Sequence, residues 1–304
     1  MNGRDKHCPM VNSLLPGTLP SPLQSIHSPL LQNREIHLYL KRDDLIHSHV
    51  SGNKWRKLRY NLMVAKEEGH HTLLTFGGAY SNHILATAHA GRLGGFDTIG
   101  IIRGEAYAPL NPVLAEAQSV GMALHYMPRW RYRQKENQDL LAELTDQFGP
   151  YYLLPEGGTN TLAVQGCQEI IDEIQIPFDL ICAPCGTGGT LAGLISGLQM
   201  GQQALGFGIL KGENFLPQQI HTLLGSSSLT THPQWSISFD YHFGGYAKKT
   251  PVLLEFIQSF HAEHGITLDP VYTGKMLFGL MALIQQEHFS SGQTIIAVHT
   301  GKGG

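Results

Sequence analysis

Between residues 72 and 298 short apolar runs closed by glycine alternate with longer stretches carrying apolar residues at helical spacing, and this rhythm constrains the fold most tightly. The spacing predicts strands at 36–40, 72–76, 98–102, 123–127, 151–154, 180–183, 204–210 and 294–298. Helices are expected at 82–94, 110–121, 135–147, 161–174, 190–200, 251–264 and 274–287. Strands that alternate with helices pair in parallel and need cover on both faces, so the expected class is α/β with two open parallel sheets. No internal repeat is visible. Residues 1 to about 34, rich in Pro, Ser and Leu and without periodicity, read as an extended arm rather than a domain.

Composition removes several classes of partner. The chain has 304 residues, enough for two cores, and its 21 Lys+Arg stand against 24 Asp+Glu with no long run of one sign. Neither nucleic acid nor an anionic membrane is therefore expected as a partner. No apolar stretch reaches the roughly 18 residues that cross a bilayer, and no leader segment is read. Four cysteines make no disulfide framework, which points to a reducing cytoplasm. The 17 histidines are scattered, and neither His47-x-His49 nor His261-x-Glu263-His264 has a recognisable third ligand, so no metal is expected.

The chemistry concentrates in a few stretches. In Ser51-Gly52-Asn53-Lys54, Gly52 allows a turn, Asn53 is placed to cap a helix, and Trp55, Leu58 and Leu62 recur at i, i+3 and i+7. Lys54 then stands at a helix start, where the dipole, Arg56 and Lys57 all favour a neutral, nucleophilic amine. A solvated basic helix is the plainer alternative. Gly77-Gly78-Ala79-Tyr80-Ser81-Asn82-His83 closes a strand and opens a helix, where α/β sheets bind ligands, although Ser81 also suits a simple N-cap. Cys185-Gly186-Thr187-Gly188-Gly189-Thr190 is neither a dinucleotide fingerprint nor a Walker loop. Its N–H groups and two hydroxyls suit one phosphate at a helix N-terminus, or else form a ligand-free turn. Cys182-x-x-Cys185 allows a redox pair, with two inert buried thiols as the alternative. Tyr246, Asp269 to Lys275 and His299-Thr300-Gly301 mark further loop and element ends.

Taken in order, Lys41-Arg42-Asp43-Asp44, Ser51 to Lys54, Ser81-Asn82-His83, Pro155-Glu156-Gly157-Gly158-Thr159-Asn160, Gly186 to Thr190, Asp269 to Lys275 and His299-Thr300-Gly301 resemble one family. It is the pyridoxal-phosphate enzymes of the aminocyclopropane-carboxylate deaminase and D-cysteine desulfhydrase group. The resemblance implies the tryptophan-synthase β-like fold (fold type II) and a homodimer. It also implies a larger cofactor domain of residues 1–57 and 163–304, a smaller inserted domain of 58–162, and an active site between them. By position, Lys54 resembles the lysine that bonds pyridoxal 5'-phosphate, and Asn82 the partner of its ring hydroxyl. Gly186, Thr187, Gly188, Gly189 and Thr190 resemble the phosphate cradle, Ser81 the carboxylate loop, and Tyr246 and Tyr272 the substrate-facing tyrosines. Thr273 stands where the deaminases carry Glu, and the resemblance implies that Thr300 would meet the ring nitrogen with a hydroxyl rather than a carboxylate. That weaker electron sink suits β-elimination better than opening a cyclopropane ring. Together with His83, where the deaminases have Gln, this points to D-cysteine as the substrate of a lyase forming pyruvate, sulfide and ammonia. The alternatives are aminocyclopropane-carboxylate deamination, a Cys-x-x-Cys redox protein and a non-catalytic amino-acid binder.

Overall fold

The computed structural model describes residues 14–212, 215–225 and 234–301. The first thirteen residues of the expected arm and the Lys302-Gly303-Gly304 end lie outside them. The described chain divides into two compact units, one of residues 14–17 with Lys54–Leu162, the other of Thr18–Asn53 with residues 163–301.

The first unit holds a four-stranded, wholly parallel sheet. The second holds six strands, parallel except for one antiparallel edge pair. The strands are β1 (Leu23–Ile26), β2 (His37–Lys41), β3 (Thr72–Gly77), β4 (Asp97–Arg103), β5 (Met122–Met127), β6 (Tyr152–Leu154), β7 (Leu180–Cys185), β8 (Gln203–Gly208), β9 (Trp235–Ser238) and β10 (Thr294–Val298). The helices are α1 (Pro29–Asn33), α2 (Asn53–Glu67), α3 (Asn82–Gly94), α4 (Pro112–Ser119), α5 (Arg129–Tyr132), α6 (Gln138–Phe148), α7 (Thr161–Asp172), α8 (Gly189–Gly197), α9 (Leu216–Leu224), α10 (Pro251–His264) and α11 (Thr273–Gln285). None among the described residues is long and apolar enough to cross a membrane.

Strand order explains where the loops matter. In the smaller sheet the order is β5-β4-β3-β6, so the chain steps outward from β3 and then returns to its other side. In the larger sheet, β1-β2-β10-β7-β8-β9, the same reversal occurs at β7. Each unit thus has a switch point beside the carboxyl end of one strand, where a crevice opens. Gly77 ends β3 with Gly78 just after it, and Gly186-Thr187 follows β7.

The structure revises the N-terminal arm and the basic helix, and it buries a charged stretch. The N-terminal arm is not uniformly extended: residues 23–26 form β1 on the edge of the larger sheet, and Ser28 caps the short helix α1. Pro22 precedes β1, which a sheet edge tolerates and a central strand would not. In the charged stretch Lys41 to Asp44, three of the four residues, Lys41, Asp43 and Asp44, are buried. Their burial is met by pairing: Lys41 Nζ bonds the Ser21 carbonyl at 2.6 Å and Glu173 at 2.5 Å, and Arg42 grips Asp44 through two nitrogens at 2.8 and 2.9 Å. Finally, α2 is no solvated basic helix. Trp55, Leu58, Leu62 and Ala65 are buried as the spacing requires, but so are Arg56, Lys57 and Arg59, whose apolar stems contribute to packing.

Candidate active site

In the second unit, the head of α2 is fixed by a close approach of two backbones. Gly52 has φ 63°, and a Cβ there would stand 1.9 Å from the Thr300 carbonyl oxygen, so only glycine fits. That carbonyl in turn accepts the Asn53 amide at 3.1 Å. Asn53 is the first helical residue rather than the expected cap, and its Nδ2 donates to Thr190 Oγ1 at 2.8 Å. The residue before Lys54 is thereby tied to the last residue of the Gly-rich loop.

That loop leaves β7 and enters α8. Gly188 has φ 74°, and a Cβ there would meet Ile220 Cγ1 at 2.9 Å, so glycine is again required. A Cβ at Gly186 would come within 3.4 Å of the Tyr272 ring and fill the space between loop and ring. Gly186 and Thr187 are partly exposed, while Gly188, Gly189 and Thr190 are buried. A nine-residue helix begins at Gly189 with no acidic residue in its first turn. Small residues, hydroxyls and a helix N-terminus suit a single dianionic phosphate monoester, so these residues fit the phosphate end of pyridoxal phosphate.

Tyr272 sits at the start of α11. Asp269 organises this turn: its carboxylate accepts the amides of Val271 at 3.0 Å, Tyr272 at 2.6 Å and Thr273 at 2.8 Å. The Tyr246 ring meets the Tyr272 ring edge-on, with centroids 6.3 Å apart. Thr273 and Thr300 are both buried, with their hydroxyl oxygens 3.4 Å apart. Neither side chain can carry a charge.

In the first unit, Lys54 is partly exposed at the second position of α2, and its Nζ donates to the Gly157 carbonyl at 3.1 Å. Lys57, one turn on, reaches the same carbonyl at 3.4 Å and Thr159 Oγ1 at 3.0 Å. Gly157 and Gly158 both have positive φ, 70° and 68°, and a Cβ on Gly158 would lie 2.9 Å from His83 Cε1. The turn therefore packs closely against the His83 ring. The Thr75 hydroxyl donates to the Leu154 carbonyl at 2.9 Å, which leaves its oxygen to accept from His83 Nε2 at 2.9 Å. Burial holds the His83 pKa well below 6.5, and the charges of Lys54 and Lys57 push it the same way. Ser81 Oγ caps α3 by accepting the Ile84 amide at 3.4 Å, and Asn82 is the first residue of that helix.

The expected residues thus gather in two sets. Gly186 to Thr190, Tyr246, Tyr272 and Thr300 share the second unit, while Lys54, Ser81 and Asn82 share the first. Sequence reasoning named Lys57, Gly157 and Asp269 but missed the contacts they make, Lys57 and Lys54 sharing the Gly157 carbonyl and Asp269 capping α11. The paired glycines and the Asp-Pro before α11 were their only local signals. The redox alternative fails on geometry. Cys182 and Cys185 are buried on β7, and their odd spacing sends one side chain into each of the two cores flanking the sheet. Burial also raises the Cys182 pKa, away from a reactive thiolate.

Comparison with known proteins gives a consistent picture. Residues 14–301 match the family model described as "Pyridoxal-phosphate dependent enzyme". The bifunctional D-cysteine desulfhydrase/1-aminocyclopropane-1-carboxylate deaminase of Arabidopsis thaliana is 30% identical, with 93% of this chain and 76% of that protein covered. The D-cysteine desulfhydrase of Salmonella newport is 28% identical, covering 93% and 91% respectively. A solved structure titled as an ACC deaminase homologue superposes with a TM-score of 0.77 at 28% identity, covering 97% of this chain and 95% of that one.

Proposed function

We propose, from the premise that this chain belongs to the family of pyridoxal-phosphate dependent enzymes, that it eliminates the β-substituent of a small amino acid, with D-cysteine as substrate. The enzyme class, a pyridoxal-phosphate lyase or deaminase, follows from the family itself. The observation carrying the finer reading is the buried pair Thr273 and Thr300, hydroxyls 3.4 Å apart where a ring-opening deaminase would need a carboxylate. A hydroxyl beside the ring nitrogen leaves it a weaker electron sink, enough when a leaving group departs as the α-proton is removed.

When bound, pyridoxal phosphate delocalises negative charge from the substrate's α-carbon. Gly186, Thr187, Gly188, Gly189 and Thr190 would hold its phosphate, Asn82 its ring hydroxyl, and Thr300 its ring nitrogen. Lys54 is the residue that would bond the cofactor, and its Nζ would take the α-proton, a role worth typically about 10²–10⁴-fold. The Gly157 carbonyl is the acceptor that orients this amine. Ser81 and the amides of its loop hold the substrate carboxylate, while Tyr272 and Tyr246 position the substrate or shuttle its proton. The remaining parts of the reading are a homodimer, measurable by light scattering, and a cytoplasmic location.

The test is parallel turnover of D-cysteine, L-cysteine, β-chloro-D-alanine and aminocyclopropane carboxylate, following 2-oxo acid and sulfide. D-Cysteine should give pyruvate and sulfide fastest. If aminocyclopropane carboxylate gives 2-oxobutyrate faster, the weight placed on Thr273 and Thr300 is wrong and the deaminase reading replaces this one.

A further inference from the structure

The loop carrying Tyr246 departs most from ordinary backbone. Phe243, Gly244, Gly245 and Ala247 all have positive φ, at 54°, 91°, 119° and 56°. Two of these residues bear a Cβ, so the conformation is strained and needs fixing from outside. The fixing group is Lys275, in the first turn of α11. It is 1% exposed, and its Nζ donates to the Gly245 carbonyl at 2.7 Å and the His242 carbonyl at 2.9 Å. Those two carbonyls also close the loop's turns, His242 accepting the Gly245 amide at 3.0 Å and Gly245 the Lys248 amide at 3.2 Å. Because Lys275 lies three residues after Tyr272, one amine ties the Tyr246 loop to the element that presents Tyr272.

We infer that Lys275 is a positioning residue, which holds Tyr246 edge-on to Tyr272 so that the two rings form one fixed wall for the substrate side chain. The inference rests on the reading of these tyrosines as substrate-facing. Lys275 has no second task in that reading. Its surroundings make the link sensitive to alkali. Burial lowers its pKa to about 8, against an opposing pull from Asp269. The other titratable groups around it are His242, Tyr246 and Lys248 in the loop, Lys211 beside Gly245, and Tyr272 on its own element. Above pH 8 both bonds lose their charge assistance, which roughly halves a hydrogen bond's strength.

The test compares wild type with Lys275→Met, which keeps the apolar stem and removes the donors. Amide exchange of residues 243–248, corrected for its intrinsic pH dependence, should be roughly tenfold faster in the variant at pH 7. Wild type alone should lose protection there between pH 7 and 9, and this second measurement stands even if the variant fails to fold. With D-cysteine, KM should rise roughly tenfold in Lys275→Met, with a smaller change in kcat. In a Tyr246→Ala background Lys275→Met should change KM no further, a coupling that a merely structural lysine would not show. Exchange unaltered by the variant, or full additivity of the two substitutions, overturns the inference. If the wild type turns over no amino acid, the reading of the tyrosines falls, and the exchange measurements still decide whether Lys275 pins the loop.

Discussion

Two glycines flank α2, and replacing each with alanine separates backbone strain from close approach. Gly52 has φ 63° and Gly69 φ 77°, so either alanine would enter the left-handed region at about 1–2 kcal/mol. At Gly69 the new Cβ meets nothing within 4 Å, and that strain is the whole expected loss. At Gly52 it would stand 1.9 Å from the Thr300 carbonyl oxygen and 2.5 Å from the Gly301 nitrogen, both backbone atoms that no rotamer change can move aside. The two segments must separate, which gives up the 3.1 Å bond from the Asn53 amide and adds an overpacking cost. The expected loss for Gly52→Ala is about 3–6 kcal/mol, against about 1–2 kcal/mol for Gly69→Ala. Urea denaturation of both variants, with cofactor content measured alongside, checks this. Equal losses in the two would refute the claim that backbone contact at Thr300 sets the head of α2.

Two further outcomes follow from the site. Asn53→Ala removes the 2.8 Å bond to Thr190 and should weaken pyridoxal-phosphate binding about 2- to 12-fold, read by titrating cofactor into apoenzyme. His83 binds no proton in the folded state at a pH where the unfolded chain, with an ordinary pKa near 6.5, does. Its contribution is therefore complete above that value and is lost as the pH falls towards the lowered folded-state pKa. Urea midpoints at pH 7.5 and pH 5 should diverge less in His83→Gln than in wild type, and an unchanged difference would contradict the assignment.

The strand-helix rhythm made most of the fold legible because parallel strands buried on both faces read as continuous apolar runs. Thr294–Val298 and Pro251–His264 stand where the spacing put them. Residues 23–26 escaped notice because β1 is a four-residue edge strand whose existence depends on its partner β2 rather than on its own pattern. At the candidate site, Lys54 and both glycine loops were visible because glycine is needed where the backbone turns left-handed, as at Gly52 and Gly188, or where it is closely packed, as at Gly77 against Ile84. Asn53 looked like a cap because a capping asparagine and one that bonds a distant threonine are the same residue until the partner is known. The burial of Lys57 and the shared Gly157 carbonyl were hidden for the same reason, their contacts spanning 100 residues of chain.

The assignment of Lys54 is tested most directly by locating the covalent link. Borohydride reduction of the protein loaded with pyridoxal phosphate, followed by proteolysis and mass spectrometry, should find the pyridoxyl group on Lys54 alone, and Lys54→Ala should carry none. Label on Lys57, whose amine shares the Gly157 carbonyl with that of Lys54, or a colourless protein that takes up no pyridoxal phosphate, would contradict the account.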